Sequence, residues 1–257
     1  MTVDTRPLGV ICAMPEEIDH LAARLEGAEA PADPHGFGFR RGRLEGRPVV
    51  LVESGLGKVS AAIVATRLID RFDCRALLLS GVAGGLDPGL GIGDVIVAER
   101  LIQHDYGALV GGRLKPYRPG VPPLGVSRHR LGYDLDPALK DALGAALAGV
   151  VLPLLSAAAA GGTPRTPRLR FGTVVTGDQF VNCEATRLRL FETFAAQAVE
   201  MEGGAVAQVA ERFAVPCVVV RALTDLAGAD SHLDFMAFLH AAAETAAGVV
   251  RRILPAL

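Results

Sequence analysis

"GKVSAAIVATRLIDRFDCRALLLS", residues 57–80, decides the fold class. After Gly57, which opens it, a helix places Val59, Ile63, Thr66, Leu68 and Phe72 at helical spacing, and the stretch ends in the continuous apolar run of a strand buried on both faces. Upstream, "LGVICA" (8–13) is a second such run. It stops at "MPEEIDHLAARL", where Pro15 suits a first helical turn, Glu16 and Glu17 suit its positive end, and Ile18, Leu21, Ala22 and Leu25 keep helical spacing. Between these units "FGFRRGRLEGRPVVLVESG" (37–55) reads as a hairpin turning at Glu45-Gly46. "ALLLSGVAGGLDPGLGIGDVIVAERLI" (76–102) reads as a strand, a glycine-rich loop and a second strand. The order β-α-β-β-α-β, with buried strands at crossover spacing, predicts an α/β sheet covered by helices.

Farther on, Gly and Pro crowd residues 107–127, which read as one long loop. Ala and Leu content makes 136–160 helical with a break at Pro153, and the small residues up to 167 form a connector, so that 136–167 is an Ala-rich insertion. Strand and helix signals resume at "RLRFGTVVTGDQFV" (168–181), "ATRLRLFETF" (185–194), "AVEMEGGAVAQVAERFAV" (198–215) and "CVVVRALTDLAG" (217–228), and a long amphipathic helix spans 234–254. No segment reads as a domain boundary, so residues 1–257 are expected to form a single domain.

Composition narrows the function classes. The chain has 257 residues, half of them hydrophobic and 21% charged, enough to bury a full core. The net charge of −2, without a basic run interleaved with aromatics, predicts no nucleic-acid and no membrane-surface partner. No apolar stretch reaches the roughly 18 residues of a membrane span, and the N-terminus lacks a basic-then-apolar signal, so a cytoplasmic location is expected. Cys12, Cys74, Cys183 and Cys217 lie far apart without CxxC or Cys/His pairing, which predicts reduced thiols and neither a metal site nor a cofactor built on them.

Ligands of open α/β sheets bind outside the carboxyl ends of strands. Polar residues stand at several such ends: Glu16 and Glu17 after the first strand, Gly81–Gly85 after "ALLLS", 177–180 after "FGTVVT", and Arg221, Thr224 and Asp225 after "CVVV", with Glu200-Met201-Glu202 before a helix. Each has a plain structural reading as well. Glu16 and Glu17 suit a helix N-terminus, Asp225 suits a cap for the next element, and the glycines suit a turn. His104 and Asp105, as neighbours on a strand, point to opposite faces and read as structural or interface residues. GxSxG and GxxxxGK[ST] are absent, which leaves acid/base chemistry by carboxylates assisted by Arg221.

Taken in order, "GVICAMPEEI", "VESGLGKVSAA", "SGVAGGLDPGLGIGDVIVAE" followed by "HD", "VTGDQFVN", "VEMEGGAVAQVA" and "VPCVVVRALTDLAGADSHLDF" resemble the nucleoside phosphorylase superfamily, and within it the 5'-methylthioadenosine/S-adenosylhomocysteine nucleosidases. The resemblance implies a three-layer α/β/α sandwich with a central mixed, partly barrel-like sheet. It implies hydrolysis of an adenine nucleoside by a homodimer without a cofactor. Asp225 matches the general acid that protonates N7 of the base, Glu17 the carboxylate that activates water, and Arg221 the residue that holds Glu17. Met201 and Glu202 match the ribose contacts, Phe180 and Val181 the purine-stacking loop, and Thr224 the Ser or Thr beside the acid. Leu56 and Phe235 match contacts to the 5'-substituent, and Ala13 lies near base and sugar. Val82 departs from the pattern, standing where the family has Ser or Thr between the glycines. Gly203 and Gly204 stand where helix formers are usual, and imply close approach of another backbone or of the sugar. Phosphorolysis, futalosine hydrolysis and a catalytically silent nucleoside-binding protein are the alternatives; the carboxylates of "CAMPEEI" would repel phosphate, which favours a hydrolase.

Overall fold

A computed structural model of the chain describes residues 4–121, 130–155, 157, 164–228 and 231–257. The first half contains β1 (Leu8–Cys12), α1 (Pro15–Ala22), β2 (Glu26–Glu29), β3 (Arg40–Leu44), β4 (Arg47–Glu53), α2 (Lys58–Phe72), β5 (Ala76–Gly85), β6 (Val95–Gln103), β7 (Gly107–Val110) and β8 (Arg113–Pro116). Then come β9 (Tyr133–Asp134), α3 (Pro137–Leu147), β10 (Leu169–Thr176), α4 (Glu184–Phe194), β11 (Ala198–Glu200), α5 (Gly203–Arg212), β12 (Cys217–Asp225) and α6 (Ser231–Ile253).

The main sheet runs β11-β10-β6-β12-β5-β1-β4-β3-β2, with β9 beside β6. A further antiparallel pairing, Ala198 with Gly85 and Val199 with Gly84, joins β11 to β5 and closes β5, β12, β6, β10 and β11 into a ring. Parallel pairs such as β1 with β5 and β12 with β5 alternate with antiparallel ones such as β12 with β6, so the sheet is mixed and partly barrel-like, as expected. Its central strands β1, β5 and β12 are buried on both faces, which is why they read as unbroken apolar runs, whereas β2 and β3, at one edge, are largely exposed. Val10, Leu78, Val218 and Val220 pack with α1, α3 and α6 on one side, and Ile11, Leu77, Leu79 and Val219 pack with α2 and α5 on the other. Glu45 and Gly46, at φ 48° and 74°, make the tight turn between β3 and β4 where the sequence placed it.

Several expectations need correction. Gly81–Gly85 is not a loop; β5 continues through Gly85. Part of 107–127 is a hairpin, with β7 paired to β8 from Gly107↔Pro116 to Val110↔Arg113. Residues 122–127 lie outside the described residues, as do 158–163 of the connector. Pro153 does not end the Ala-rich helix: α3 stops at Leu147, where Ala148 turns extended and Gly149 takes φ 72°. On α2 the buried face is Ala61, Val64, Ala65, Leu68 and Phe72, while Val59 and Ile63 point outward. Among the described residues no helix is long and apolar enough to cross a membrane.

Candidate active site

The carboxyl ends of β1, β5 and β12, the segment after β10, the α5 N-terminus and the first turns of α6 surround a cavity of about 470 Å³. It is lined by Ala13, Glu17, Leu56, Val82, Phe180, Val181, Met201, Glu202, Thr224, Asp225 and Phe235, which is every expected site residue except Arg221. Its walls are mostly apolar, and Phe180 and Phe235 meet edge to face at 5.8 Å between centroids on one side. No lysine or arginine lines it among the described residues.

Glu17 sits in the first turn of α1, where the helix N-terminus reading holds, and its carboxylate also faces the cavity. Oε2 accepts from the N–H groups of Ala13 (2.7 Å) and Met14 (3.2 Å), capping its own helix. Oε1 accepts from Val82 N–H on β5 at 2.9 Å, which fixes the carboxylate at the cavity wall. Gly81, just before, leaves the space that a Cβ would take to Glu17 Oε1 and Arg221 Nη1. Asp225 ends β12. Its Oδ1 accepts from Ala227 N–H (2.8 Å) and its Oδ2 from the Thr224 hydroxyl (2.9 Å), a turn closure and not a helix cap, since α6 begins only at Ser231. Gly84 gives way beside it; a Cβ there would come within 3.0 Å of Oδ1. Glu202 precedes α5, with Oε1 held by Gly57 N–H at 2.8 Å and Oε2 by Arg221 Nη2 at 3.0 Å.

Arg221 departs from expectation. It lies fully buried behind the wall, and its Nη2 donates to Glu200 and Glu202, while Nη1 stands 3.9 Å from Glu17 Oε1 without a hydrogen bond. The pairing with Glu17 is thus the weakest of three, because the register of β11 presents Glu200 to the guanidinium first. The nearest neighbours of a Cβ at Gly203 and Gly204 are side chains and not another backbone: Leu101 and Glu200 at the first, Gln103 and Thr176 at the second, at 2.8–3.2 Å.

Burial dominates the electrostatics. It pushes the Glu17 carboxyl above its ordinary range against the pull of Arg221 and of the Val82, Ala13 and Met14 N–H groups. Burial likewise raises Asp225, opposed by the Ala227 N–H and the Thr224 hydroxyl. For Glu202 burial prevails over Arg221, and with Glu200 adding like charge the carboxyl reaches about 7. Burial alone would lower the Arg221 guanidinium, but Glu200, Glu202 and Glu17 hold it above its ordinary value.

The Glu202 shift has a sign for stability. An acid raised in the folded state contributes fully below its ordinary 4.5 and loses that contribution as pH climbs through about 7. The stability of the parent protein relative to Glu202→Gln, followed by urea denaturation, is therefore expected to fall across that window by on the order of 3 kcal/mol. A difference that does not vary with pH would assign the titration to another group.

Met14 and Gln179, at strand ends, received no site role from the sequence, and His232 and Met236 on the cavity wall and Gly57, whose N–H binds Glu202, were left out. His232, Phe235 and Met236 share one face of α6 by their spacing, a signal that was available in the sequence.

Comparison with known proteins bears directly on this geometry. The chain is similar to the 5'-methylthioadenosine/S-adenosylhomocysteine nucleosidase of Mycobacterium bovis, with 48% identity over 250 residues and 97% of each chain covered. Its fold is similar to the Streptococcus pyogenes S-adenosylhomocysteine nucleosidase in complex with 5-methylthiotubericidin, at TM-score 0.83 and 31% identity over 100% of this chain and 99% of that one. It is also similar to futalosine hydrolase of Helicobacter pylori, at TM-score 0.78 and 29% identity over 98% and 99%. The phosphorylase superfamily model matches residues 7–255, which takes in every wall of the cavity, and the chain belongs to that family.

Proposed function

We propose that this protein hydrolyses the N-glycosidic bond of an adenine nucleoside with an apolar 5'-thio substituent, 5'-methylthioadenosine and/or S-adenosylhomocysteine, and releases adenine. The observation that carries the reading is the convergence of Glu17, Glu202 and Asp225, all nearly buried, on one apolar cavity that no lysine or arginine lines among the described residues. In this reading Asp225 holds a proton near neutral pH and gives it to N7 of the base as the C1'–N9 bond breaks and its electron pair moves onto adenine. Glu17 takes the proton of the water whose oxygen bonds to C1'. Arg221, Glu200 and Glu202 form the charged floor, and Glu202 and Met201 hold the ribose hydroxyls and face. Phe180 and Val181 flank the base, with Ala13 and Thr224 beside it, and Leu56 and Phe235 flank the 5'-group.

Water is favoured over phosphate as nucleophile. Phosphate would lie against the Glu17 carboxylate with no lysine or arginine on the wall among the described residues, and Val82 offers it no hydroxyl. Adenine release from 5'-methylthioadenosine, assayed with and without phosphate, tests this; a requirement for phosphate would sink it. Futalosine hydrolysis is the second reading, favoured by the likeness to the Helicobacter pylori enzyme, and a nucleoside panel that includes futalosine decides between them.

The homodimer finds support in one surface. Leu56, Val59 and Ile63 are 57%, 73% and 47% exposed around the first turns of α2. Lys58 bonds Asp105 at 2.6 Å and so brings the base of the β7–β8 hairpin, with exposed Leu109 and Val110, to the same side. Exposed apolar side chains clustered at one helix end, as Leu56, Val59 and Ile63 are, mark a protein interface. Sedimentation should find a dimer that Val59→Lys with Ile63→Lys shifts to monomer, and a dimer unaffected by both changes would move the interface elsewhere. The cysteines are free, which suits a cytoplasmic enzyme.

A further inference from the structure

Four donors converge on Glu200: Arg221 Nη2, the Thr176 hydroxyl, and the backbone N–H groups of Glu202 (3.0 Å) and Gly203 (2.7 Å). Its side chain is 1% exposed, so although Glu200 borders the cavity, its oxygens are committed to the protein. Thr176 Oγ1 in turn accepts from Gly204 N–H at 2.7 Å, and the first turn of α5 is held from two directions. The guanidinium nitrogen that Glu200 captures is the same one that reaches Glu202. Glu202 is thereby fixed at both ends, through its own N–H by Glu200 directly and through Oε2 by way of Arg221, while Gly57 N–H holds Oε1. The absent side chains of Gly203 and Gly204 serve the same arrangement, since Glu200 and Thr176 occupy the space beside them.

We propose that Glu200 is a positioning residue for sugar recognition: by clamping Arg221 and the N-terminus of α5 it sets where Glu202 presents its carboxylate to the ribose hydroxyls. The inference rests on the reading of Glu202 as the ribose-binding group. Glu200 neither touches the substrate nor moves a proton. Its contribution is geometric, and its loss leaves Arg221 free to swing toward Glu17 and Glu202 with an unsatisfied cluster of backbone donors behind it.

Calorimetry in an Asp225→Asn background, where turnover is expected to be slowed by about 10²–10⁴-fold, separates this from general loosening by comparing 5'-methylthioadenosine with adenine, which lacks the sugar. Glu200→Gln keeps the shape of the side chain but removes its charge, and is expected to weaken nucleoside binding by about tenfold, the size of one charge-assisted hydrogen bond, while adenine binding stays unchanged. Thr176→Val, which removes one donor to Glu200 and does not border the cavity, is expected to act in the same direction by less, and it carries the test alone should Glu200→Gln not fold. Unchanged nucleoside affinity in the folded variants overturns the proposal, and so does an equal loss for both ligands. A parent protein that binds and cleaves no adenine nucleoside would overturn the functional reading, and this inference with it.

Discussion

Asp225→Asn is expected to lower kcat for adenine release by about 10²–10⁴-fold, the range that a positioned proton donor contributes, while nucleoside binding persists. The amide has the size of the carboxyl, and its oxygen can still accept from Ala227 N–H or from the Thr224 hydroxyl, so the wall keeps its shape. It cannot deliver a proton. Without one the purine must leave as an anion, and the rate falls although the ribosyl centre is still surrounded by Glu17 and Glu202. Single-turnover kinetics on 5'-methylthioadenosine reads the chemical step directly. Near-parental turnover would remove Asp225 from the mechanism and leave it as the turn closure that its hydrogen bonds also make it.

The second large effect is on stability. Arg221→Met is expected to destabilise the protein by about 3–5 kcal/mol, because it leaves Glu17, Glu200 and Glu202 buried without their shared cation. For a chain of this size that corresponds to a fall in Tm of roughly 10 °C. The loss belongs to the unpaired carboxylates and not to missing volume, so adding Glu200→Gln and Glu202→Gln to Arg221→Met should restore part of it despite two further substitutions. Thermal unfolding of the single and triple variants decides the point. A triple variant less stable than the single one would show that the ion cluster is not the cause.

These effects were unequally legible in the sequence. The central strands were plain because burial on both faces leaves no polar alternation to confuse the reading, as in Leu77–Leu79 and Val218–Val220, whereas the exposed β2, β7 and β8 were missed. The places of Glu17 and Asp225 at the rim of the sheet were also legible, since each follows an apolar run within a few residues, but their roles were suggested only by the family resemblance. The glycines of β5 misled, because glycine composition signals a turn, whereas here Gly81 and Gly84 lie within a strand and make room for Glu17, Arg221 and Asp225. The order of Arg221's partners was not legible. Glu200 and Glu202 are two residues apart, and which of them meets the guanidinium first depends on β11, a three-residue strand whose register is set by both β10 and β5. The exposed Val59 and Ile63 escaped notice for a related reason: helical spacing reports that a stripe exists and not what covers it.

The ring of five strands also dictates when the chemistry comes into being. Glu17 emerges early in synthesis, and β5 can pair with β1 soon after. Arg221 and Asp225 ride on β12, the last strand made, and β11, which completes the circle, precedes it by fewer than 20 residues. Contacts between residues 80 and 220 span more than half of the chain, so loop-closure entropy delays them, and high contact order of this kind slows folding. A nascent or truncated chain ending before β11 therefore holds an acid with no counter-charge and no cavity. Refolding followed by adenine release is therefore expected to lag behind refolding followed by helix content.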